Sequence, residues 1–156
     1  METLIEETKF IMKKYNIRAN KSLGQNFLIS EQVVNEIVES SKIDKEDLVI
    51  EIGPGLGTLT KYLLEKAGKV IGIELDKKMV EILQDRFKLY NNFELYQQDV
   101  LKIDLKHLIK KEKENTNQAA RGCSFYNKIR IQNGQQENQG GYHPWRYQWY
   151  RIRTDL

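Results

Sequence analysis

The feature that most limits the folds open to this chain is a group of three closely spaced glycines. They lie between an apolar segment and an amphipathic segment. Residues 48–52, Leu-Val-Ile-Glu-Ile, have the short apolar composition of a buried strand. Gly-Pro-Gly-Leu-Gly follows at 53–57, and the next segment carries Leu59, Tyr62 and Leu63 at helical spacing. Glycine lets a chain turn sharply and lets its backbone approach a ligand closely. The pattern predicts a strand, a tight turn and a helix whose first amide groups can face a ligand.

Strands and helices are predicted to alternate along the first part of the chain. Further strands are predicted at residues 69–73 and 93–97, and further helices over 3–15, after Ser30, after Asp76 and over 104–111. Such alternation is typical of α/β proteins, in which right-handed crossovers join parallel strands. We therefore expect an α/β fold with a parallel sheet, preceded by two helices.

The composition changes after about Glu112. Valine does not occur beyond Val100, and leucine does not occur between Leu108 and Leu156, whereas Asn, Gln and Gly are frequent. Seven basic and three acidic residues follow Glu112, so this part carries +4 and the first part carries −1 of the total charge of +3. We expect an ordered domain over 1–112 and an atypical, poorly ordered or loosely docked tail over 113–156. Within the tail, residues 125–131 can add an edge strand.

Composition also disfavours several classes of protein. No apolar run approaches the roughly 18 residues of a membrane span, so we expect a soluble protein without a membrane partner. The first residues mix Glu and Lys with apolar residues, unlike a secretory or transit sequence, which favours a cytoplasmic location. The single cysteine, Cys123, cannot form an internal disulfide, and His107 and His143 have no partners at metal-ligand spacing. We expect no metal site.

Acidic residues stand at the predicted carboxyl ends of the three strands. Glu51 lies just before the glycine turn, Glu74 follows the second strand, and Asp99 follows the third. A carboxylate after the second strand can accept hydrogen bonds from both hydroxyl groups of a ribose. A carboxylate after the third strand can meet the amino group of an adenine. Because the carboxyl ends of parallel strands share one edge of a sheet, these residues predict a nucleoside-cofactor site.

The spacing of the glycines distinguishes between two cofactors. A dinucleotide-binding turn favours a third glycine at position 58, but that residue is Thr58, so a nicotinamide-dependent oxidoreductase is a disfavoured alternative. Gly53, Gly55 and Gly57, preceded by Glu51, resemble instead the first motif of class I methyltransferases. Their cofactor, S-adenosylmethionine, is a sulfonium cation that a nearby carboxylate can stabilise. We therefore expect the Rossmann-like parallel sheet of that class, in truncated form.

Three motifs resemble those of the ribosomal RNA adenine N6-dimethyltransferases. They are Lys-Ser-Leu-Gly-Gln-Asn-Phe-Leu at 21–28, Ile-Glu-Leu-Asp at 73–76 and Gln-Asp-Val-Leu at 98–101. The resemblance covers about residues 10–110 and is closer to the housekeeping small-subunit enzyme than to the erythromycin-resistance methylases. It implies S-adenosylmethionine-dependent dimethylation of adjacent adenines in small-subunit ribosomal RNA. By position, it implies that Asn26 and Leu28 contact the cofactor, that Gly53 lines its amino-acid end, that Glu74 holds the ribose and that Asp99 binds the adenine.

The resemblance ends before the residues that position the target base. Family members carry an Asn-Leu-Pro-Tyr-type motif some twenty residues beyond the position of Asp99, and this sequence has no such motif there. In the family, the Asn amide accepts a hydrogen bond from the target amino group, and the aromatic ring stacks on the flipped adenine. We therefore assign no catalytic residue and expect an inactive form of the enzyme, with a non-catalytic remnant that binds cofactor or RNA as the alternative.

The expected partner is ribosomal RNA or the small ribosomal subunit, and we expect the chain to be a monomer. Arg18 and Lys21 belong to a basic cluster near the proposed cofactor site. Basic side chains bind RNA mainly through its phosphates, so these two residues are candidates for RNA contact.

Overall fold

Five strands and five α-helices form the part of the chain that the computed structural model describes, which is residues 3–17, 30–119, 128–133 and 148–152. In chain order they are α1 (Leu4–Lys14), α2 (Glu31–Ser41), β1 (Asp47–Ile52), α3 (Thr58–Lys66), β2 (Lys69–Glu74), α4 (Lys77–Phe87), β3 (Phe93–Gln97), α5 (Leu105–Ala119), β4 (Lys128–Asn133) and β5 (Gln148–Ile152). A short 3₁₀ turn, Val100–Lys102, lies between β3 and α5. Within these ranges, none of the helices combines the length and apolar character needed to cross a membrane.

The strands form one sheet in the order β3-β2-β1-β4-β5. Neighbouring strands are parallel from β3 to β4, and β5 is antiparallel to β4. In the register of the sheet, Ile50 lies beside Ile71 on one side and beside Ile131 on the other. The carboxyl ends of the four parallel strands therefore meet at one edge, which confirms the predicted arrangement of the first three.

Helices α1, α2 and α4 begin at side chains that accept hydrogen bonds from the first turn. Ser30 and Asp76 cap α2 and α4, as predicted, and the Asp76 carboxylate accepts hydrogen bonds from the amides of Lys78 at 2.8 Å and Met79 at 3.4 Å. Helix α1 begins with a reciprocal pair in which the Thr3 amide donates to the Glu6 carboxylate at 2.8 Å. These local contacts explain why the helix starts could be predicted from sequence.

The core lies on both faces of the sheet, because successive strand residues point to opposite sides. On one face, Val49 and Val70 pack against residues of α2, α3 and α4. On the other face, Leu48 and Ile50 pack with Ile71, Ile73 and the α5 residues Leu108 and Ile109. A parallel sheet covered on both faces needs strands whose middle positions are largely apolar, which residues 48–50 in β1 and 70–71 in β2 provide.

Helix α5 is attached to the sheet by a cluster of charges as well as by apolar contacts. Lys69 at the start of β2 makes an ion pair with Glu94 on β3 at 2.6 Å and another with Glu112 on α5. Glu112 is buried. Helix α5 continues to Ala119 and therefore crosses the predicted domain boundary after residue 112.

Two strands of the sheet come from the predicted tail. Strand β4 overlaps the predicted edge strand at 125–131, but it lies between β1 and β5, so its predicted place at the edge of the sheet was wrong. The reason is that β5, which the sequence pattern did not predict, pairs along the outer side of β4. The predicted division of the chain at 112 and the poor order expected for the remaining tail stay predictions.

Candidate functional site

The turn between β1 and α3 has a backbone that favours glycine at three positions. Gly53, Gly55 and Gly57 have φ angles of 66°, 59° and 79°, which lie in the left-handed region. The Gly53 amide donates to the carbonyl oxygen of Ile73 at 2.9 Å, which ties the turn to the end of β2. These glycines lie at the carboxyl edge of the sheet, where the sequence placed them.

Helix α4 packs closely against the end of this turn. A Cβ atom at Gly57 would lie 2.4 Å from Cε2 of Phe87 and 2.8 Å from Cδ2 of Leu83. Gly53 is different, because no atom of the described residues lies within 4 Å of the place where its Cβ atom would stand. Among the described residues, the turn is therefore packed against α4 at Gly57 and has free space beside Gly53, where a ligand can approach its backbone.

Glu74 holds the turn and the start of α4 in place. Glu74 is the last residue of β2 and is only 8% exposed. The Gly55 amide donates to Oε2 at 3.1 Å, and the amides of Leu75 and Asp76 donate to Oε1 at 2.8 and 2.9 Å. Hydrogen bonds to an ionised carboxylate are about twice as strong as those between neutral groups. Glu74 therefore presents a negative charge at the sheet edge in a fixed orientation.

Glu51 is a second acid beneath the turn, and it is more deeply buried. The residue is 3% exposed, and the Thr60 hydroxyl on α3 donates to its Oε2 at 2.7 Å. Burial raises the pKa of the Glu51 carboxyl to about 7, the negative charge of Glu74 adds to the rise, and the hydrogen bond from Thr60 opposes it. Glu51 therefore titrates near neutral pH, unlike an ordinary surface glutamate.

Asp99 lies just beyond β3, next to the other strand ends. Its carboxylate accepts a hydrogen bond from the Leu101 amide at 3.0 Å and caps the short 3₁₀ turn. The preceding amide, that of Gln98, donates to the backbone carbonyl of Glu74 at 3.0 Å. Asp99 is half-buried, so its carboxylate remains accessible at the same edge as Glu74.

The remaining candidates from the sequence fall outside this edge or outside the described residues. Asn26, Leu28, Arg18 and Lys21 lie outside the described residues, as does His143. His107 lies exposed on α5, where its amide donates to Asp104. No group of three or more His, Cys, Asp or Glu side chains that could hold a metal ion occurs within residues 3–17, 30–119, 128–133 and 148–152.

Two residues of the site were missed by sequence reasoning. Thr60, which binds Glu51, gives no signal beyond its place in the first turns of α3. Arg86 on α4 donates from Nη1 to the backbone carbonyl of Leu56, in the middle of the glycine turn. Its signal was present, because it is a charged residue between the buried Leu83 and Phe87 on a helix face that is otherwise apolar.

The arrangement suits a ligand with hydroxyl groups, an amino group and a positive charge. Two carboxylates, Glu74 and Asp99, supply hydrogen-bond acceptors at neighbouring strand ends. The backbone at Gly53 lets a ligand approach closely, and the first turn of α3 supplies amide groups. A buried acid, Glu51, lies beneath them.

Comparison with known proteins identifies relatives of residues 16–131. The family model of ribosomal RNA adenine dimethylases matches residues 16–131, which extends past the predicted boundary at 112 into β4. Ribosomal RNA small subunit methyltransferase A of Clostridium botulinum is 57% identical over 102 residues, covering 65% of this chain and 37% of that protein. Its counterpart in Clostridium acetobutylicum is 50% identical over 105 residues, covering 67% and 38%. The chain thus spans less than two fifths of the length of these curated relatives.

Solved structures agree with the fold. The RNA methyltransferase of Salinibacter ruber, crystallised with S-adenosyl-L-homocysteine, superposes with a TM-score of 0.50 at 16% identity. The superposition covers 83% of this chain and 96% of that chain. This likeness, together with the parallel sheet described above, confirms the predicted Rossmann-like α/β fold of methyltransferases.

Proposed function

This chain belongs to the ribosomal RNA adenine dimethylase family, and we propose on that premise that its described part binds S-adenosylmethionine as the cofactor region of a small-subunit ribosomal RNA methyltransferase. The observation that carries the proposal is the edge of the sheet where the open glycine turn, Glu74 and Asp99 stand together. The curated relatives named for the small ribosomal subunit support ribosomal RNA as the substrate class.

The residues at this edge fit the parts of that cofactor. We assign the ribose hydroxyls to Glu74 and the adenine amino group to Asp99, because both parts donate hydrogen bonds and both side chains accept them. The backbone of Gly53 suits the amino-acid end. The family resemblance assigns Asn26 and Leu28 to contacts with the cofactor from the N-terminal segment. When bound, the cofactor supplies an electrophilic methyl group on a sulfonium.

Glu51 has a different part in this assignment, since it is buried and does not reach the surface. Its carboxylate can stabilise a nearby cation, and a cation in turn favours its ionised form. We therefore assign Glu51 to the electrostatic environment of the charged part of the cofactor, with Gly55 and Gly57 shaping the turn above it.

Methyl transfer itself needs a group that holds the target base, and here we propose that the chain is inactive. In the family the Asn-Leu-Pro-Tyr-type motif follows the fourth strand, and no such motif follows β4, which ends at Asn133. Residues 134–141, directly after the strand, include no aromatic side chain on which a flipped adenine would stack. Transfer from a sulfonium depends mainly on alignment of the two reacting atoms, so the loss of base positioning removes most of the rate.

Calorimetric titration with S-adenosylhomocysteine tests the cofactor assignment. The Glu74→Gln and Asp99→Asn variants should each weaken binding by about 1–3 kcal/mol, or roughly 5-fold to 150-fold, because each loses a charged acceptor. Glu81→Gln, which changes an exposed carboxylate on α4, is the matched control and should bind like the parent chain. Unchanged affinity in Glu74→Gln would contradict the assignment, and tight binding of NADH in its place would favour an oxidoreductase.

A tritium-transfer assay on small ribosomal subunits tests the proposed lack of activity. We expect methyl incorporation at background level, while binding of S-adenosylhomocysteine is retained. Incorporation above background would overturn that part of the proposal. Binding without turnover would match the cofactor-binding remnant. A monomeric state and a cytoplasmic location belong to the proposal as well, and light scattering after size exclusion tests the former.

A further inference from the structure

Arg86 connects two parts of the structure that are far apart in sequence. Its side chain lies on α4 and is only 13% exposed. The guanidinium donates from Nη2 to Glu7 Oε1 on α1 at 2.5 Å and from Nη1 to the carbonyl oxygen of Leu56 in the glycine turn. Burial lowers the pKa of Arg86, and the charge of Glu7 opposes that effect. One buried cation therefore joins the N-terminal helix to the glycine turn.

The side chain of Leu56 is held by the same two helices. It is 1% exposed and packs in a cluster with Ile11 from α1, Ile17 just after it, and Met79 and Ile82 from α4. Helices α1 and α4 thus contact the middle residue of the turn twice, once through its carbonyl oxygen and once through its side chain. A flexible glycine turn gains a fixed conformation from these contacts, because glycine itself restricts the backbone very little.

Fixing Leu56 also fixes the neighbouring amide that binds Glu74. The Gly55 amide donates to Glu74 Oε2. Only the φ and ψ angles of Gly55 and Leu56 separate this amide from the carbonyl group that Arg86 binds. A continuous set of contacts therefore leads from Glu7 through Arg86 and the turn to the carboxylate at the sheet edge. Glu7 and Arg86, at the start of this path, lie outside the motifs found in the sequence.

We propose that Arg86 is a positioning residue for the cofactor site, because it holds the glycine turn in the conformation that directs the Gly55 amide at Glu74, and that Glu7 orients Arg86 for this task. The effect on cofactor affinity rests on the proposed function, whereas the effect on the turn does not. Arginine suits the role because its rigid guanidinium presents separate donors to two partners at once.

Hydrogen exchange of the Gly55 amide, followed by NMR without ligand, tests the effect on the turn. In Arg86→Met, exchange at Gly55 should rise about tenfold relative to the Ile71 amide in β2, since one hydrogen bond to a charged group is lost. The Ile71 amide serves as the internal reference, because loss of global stability would raise both rates together. Arg86→Lys keeps the charge without the paired donors and should give an intermediate rise.

Lys14→Met is the matched control. It removes the ion pair between Lys14 and Asp85, which joins the same two helices at 3.0 Å without touching the glycine turn. We expect Gly55 exchange and affinity for S-adenosylhomocysteine to stay within twofold of the parent chain in this variant. In Arg86→Met, affinity should fall about tenfold in parallel with the loss of Gly55 protection.

The proposal is overturned if Arg86→Met changes Gly55 exchange no more than Lys14→Met does, because Arg86 would then only pack the helices together. Should Arg86→Met fail to fold, Glu7→Gln decides the question. This variant keeps the contact between Arg86 and Leu56 but weakens the hydrogen bond from Arg86 to residue 7. We expect hydrogen exchange at Gly55 to rise about threefold, and no rise overturns the proposal. If the parent chain does not bind S-adenosylhomocysteine, the proposed function fails, and Gly55 exchange still decides the role of Arg86.

Discussion

Replacing Gly57 with alanine should lower the free energy of unfolding by about 2–5 kcal/mol, because the turn has no room for a side chain there. Gly57 has a φ angle of 79°, and an alanine in this left-handed region costs about 1–2 kcal/mol. The new Cβ atom would lie 2.4 Å from Phe87 Cε2 and 2.8 Å from Leu83 Cδ2. Overpacking of a core adds about 1–3 kcal/mol.

The neighbours of Gly57 cannot easily make room. The ring of Phe87 makes edge-on contacts with Tyr90 and Phe93, at centroid distances of 5.8 and 5.4 Å, and Leu83 is fully buried. A shift of the Phe87 ring would therefore disturb packing against both Phe93 on β3 and Tyr90 just after α4. Interiors packed this closely transmit such strain to their surroundings, which places the expected cost in the upper half of the range.

Gly53→Ala separates the two contributions. Gly53 has a φ angle of 66° and no described atom within 4 Å of its Cβ position, so only the backbone cost of about 1–2 kcal/mol applies. Urea unfolding followed by far-ultraviolet circular dichroism gives both free energies, provided that the m-values agree. If the two variants lose the same stability within about 0.5 kcal/mol, the steric reasoning for Gly57 is wrong.

Two further predictions concern buried charges. The raised pKa of Glu51, about 7 against 4.5 in an ordinary site, means that the folded chain retains this proton where the unfolded chain releases it, so stability should fall as pH rises from about 4.5 to 7. Relative to the parent chain, Glu51→Gln should gain about 3 kcal/mol of stability over that interval, and a constant difference between the two unfolding free energies would contradict the prediction. Lys69→Met should lower the free energy of unfolding by about 2–4 kcal/mol, because buried Glu112 loses this cationic partner. Lys110→Met removes the exposed 4.0 Å pair with Glu114 and should change it by less than about 0.5 kcal/mol in the same urea assay. Equal effects of the two lysine substitutions would rule out the buried pair as a stabilising contact.

Features determined by short stretches of sequence were predictable. The predicted third strand coincides with Phe93–Gln97, and Asp76 caps α4 as expected, because strand propensity and capping depend on neighbouring residues. The gathering of Glu51, Glu74 and Asp99 at one edge was also predictable, since parallel topology brings strand ends together whatever the details of packing.

Contacts between distant segments were not predictable in the same way. The ion pairs of Lys69 with Glu94 and Glu112 depend on the register of β2 against β3 and on the position of α5, and no local pattern specifies either. Strand β5 was missed for a related reason. Its residues, Gln-Trp-Tyr-Arg-Ile, suit a strand, but they stand in a stretch rich in Asn, Gln and Gly whose composition resembles that of a loop.

The contacts of Glu74 show what a motif leaves undetermined about a site. A carboxylate offers about four lone-pair directions, and three amide groups among the described residues already donate to this one, two of them to Oε1 and one to Oε2. One direction, on Oε2, therefore remains for a ligand. Two ribose hydroxyls need two acceptor directions, so binding both through Glu74 requires one of the three amides, that of Gly55, Leu75 or Asp76, to release the carboxylate. Because Asp76 caps α4, and Arg86 on that helix holds the glycine turn, occupation of the ribose position and the conformation of the turn should be coupled through α4.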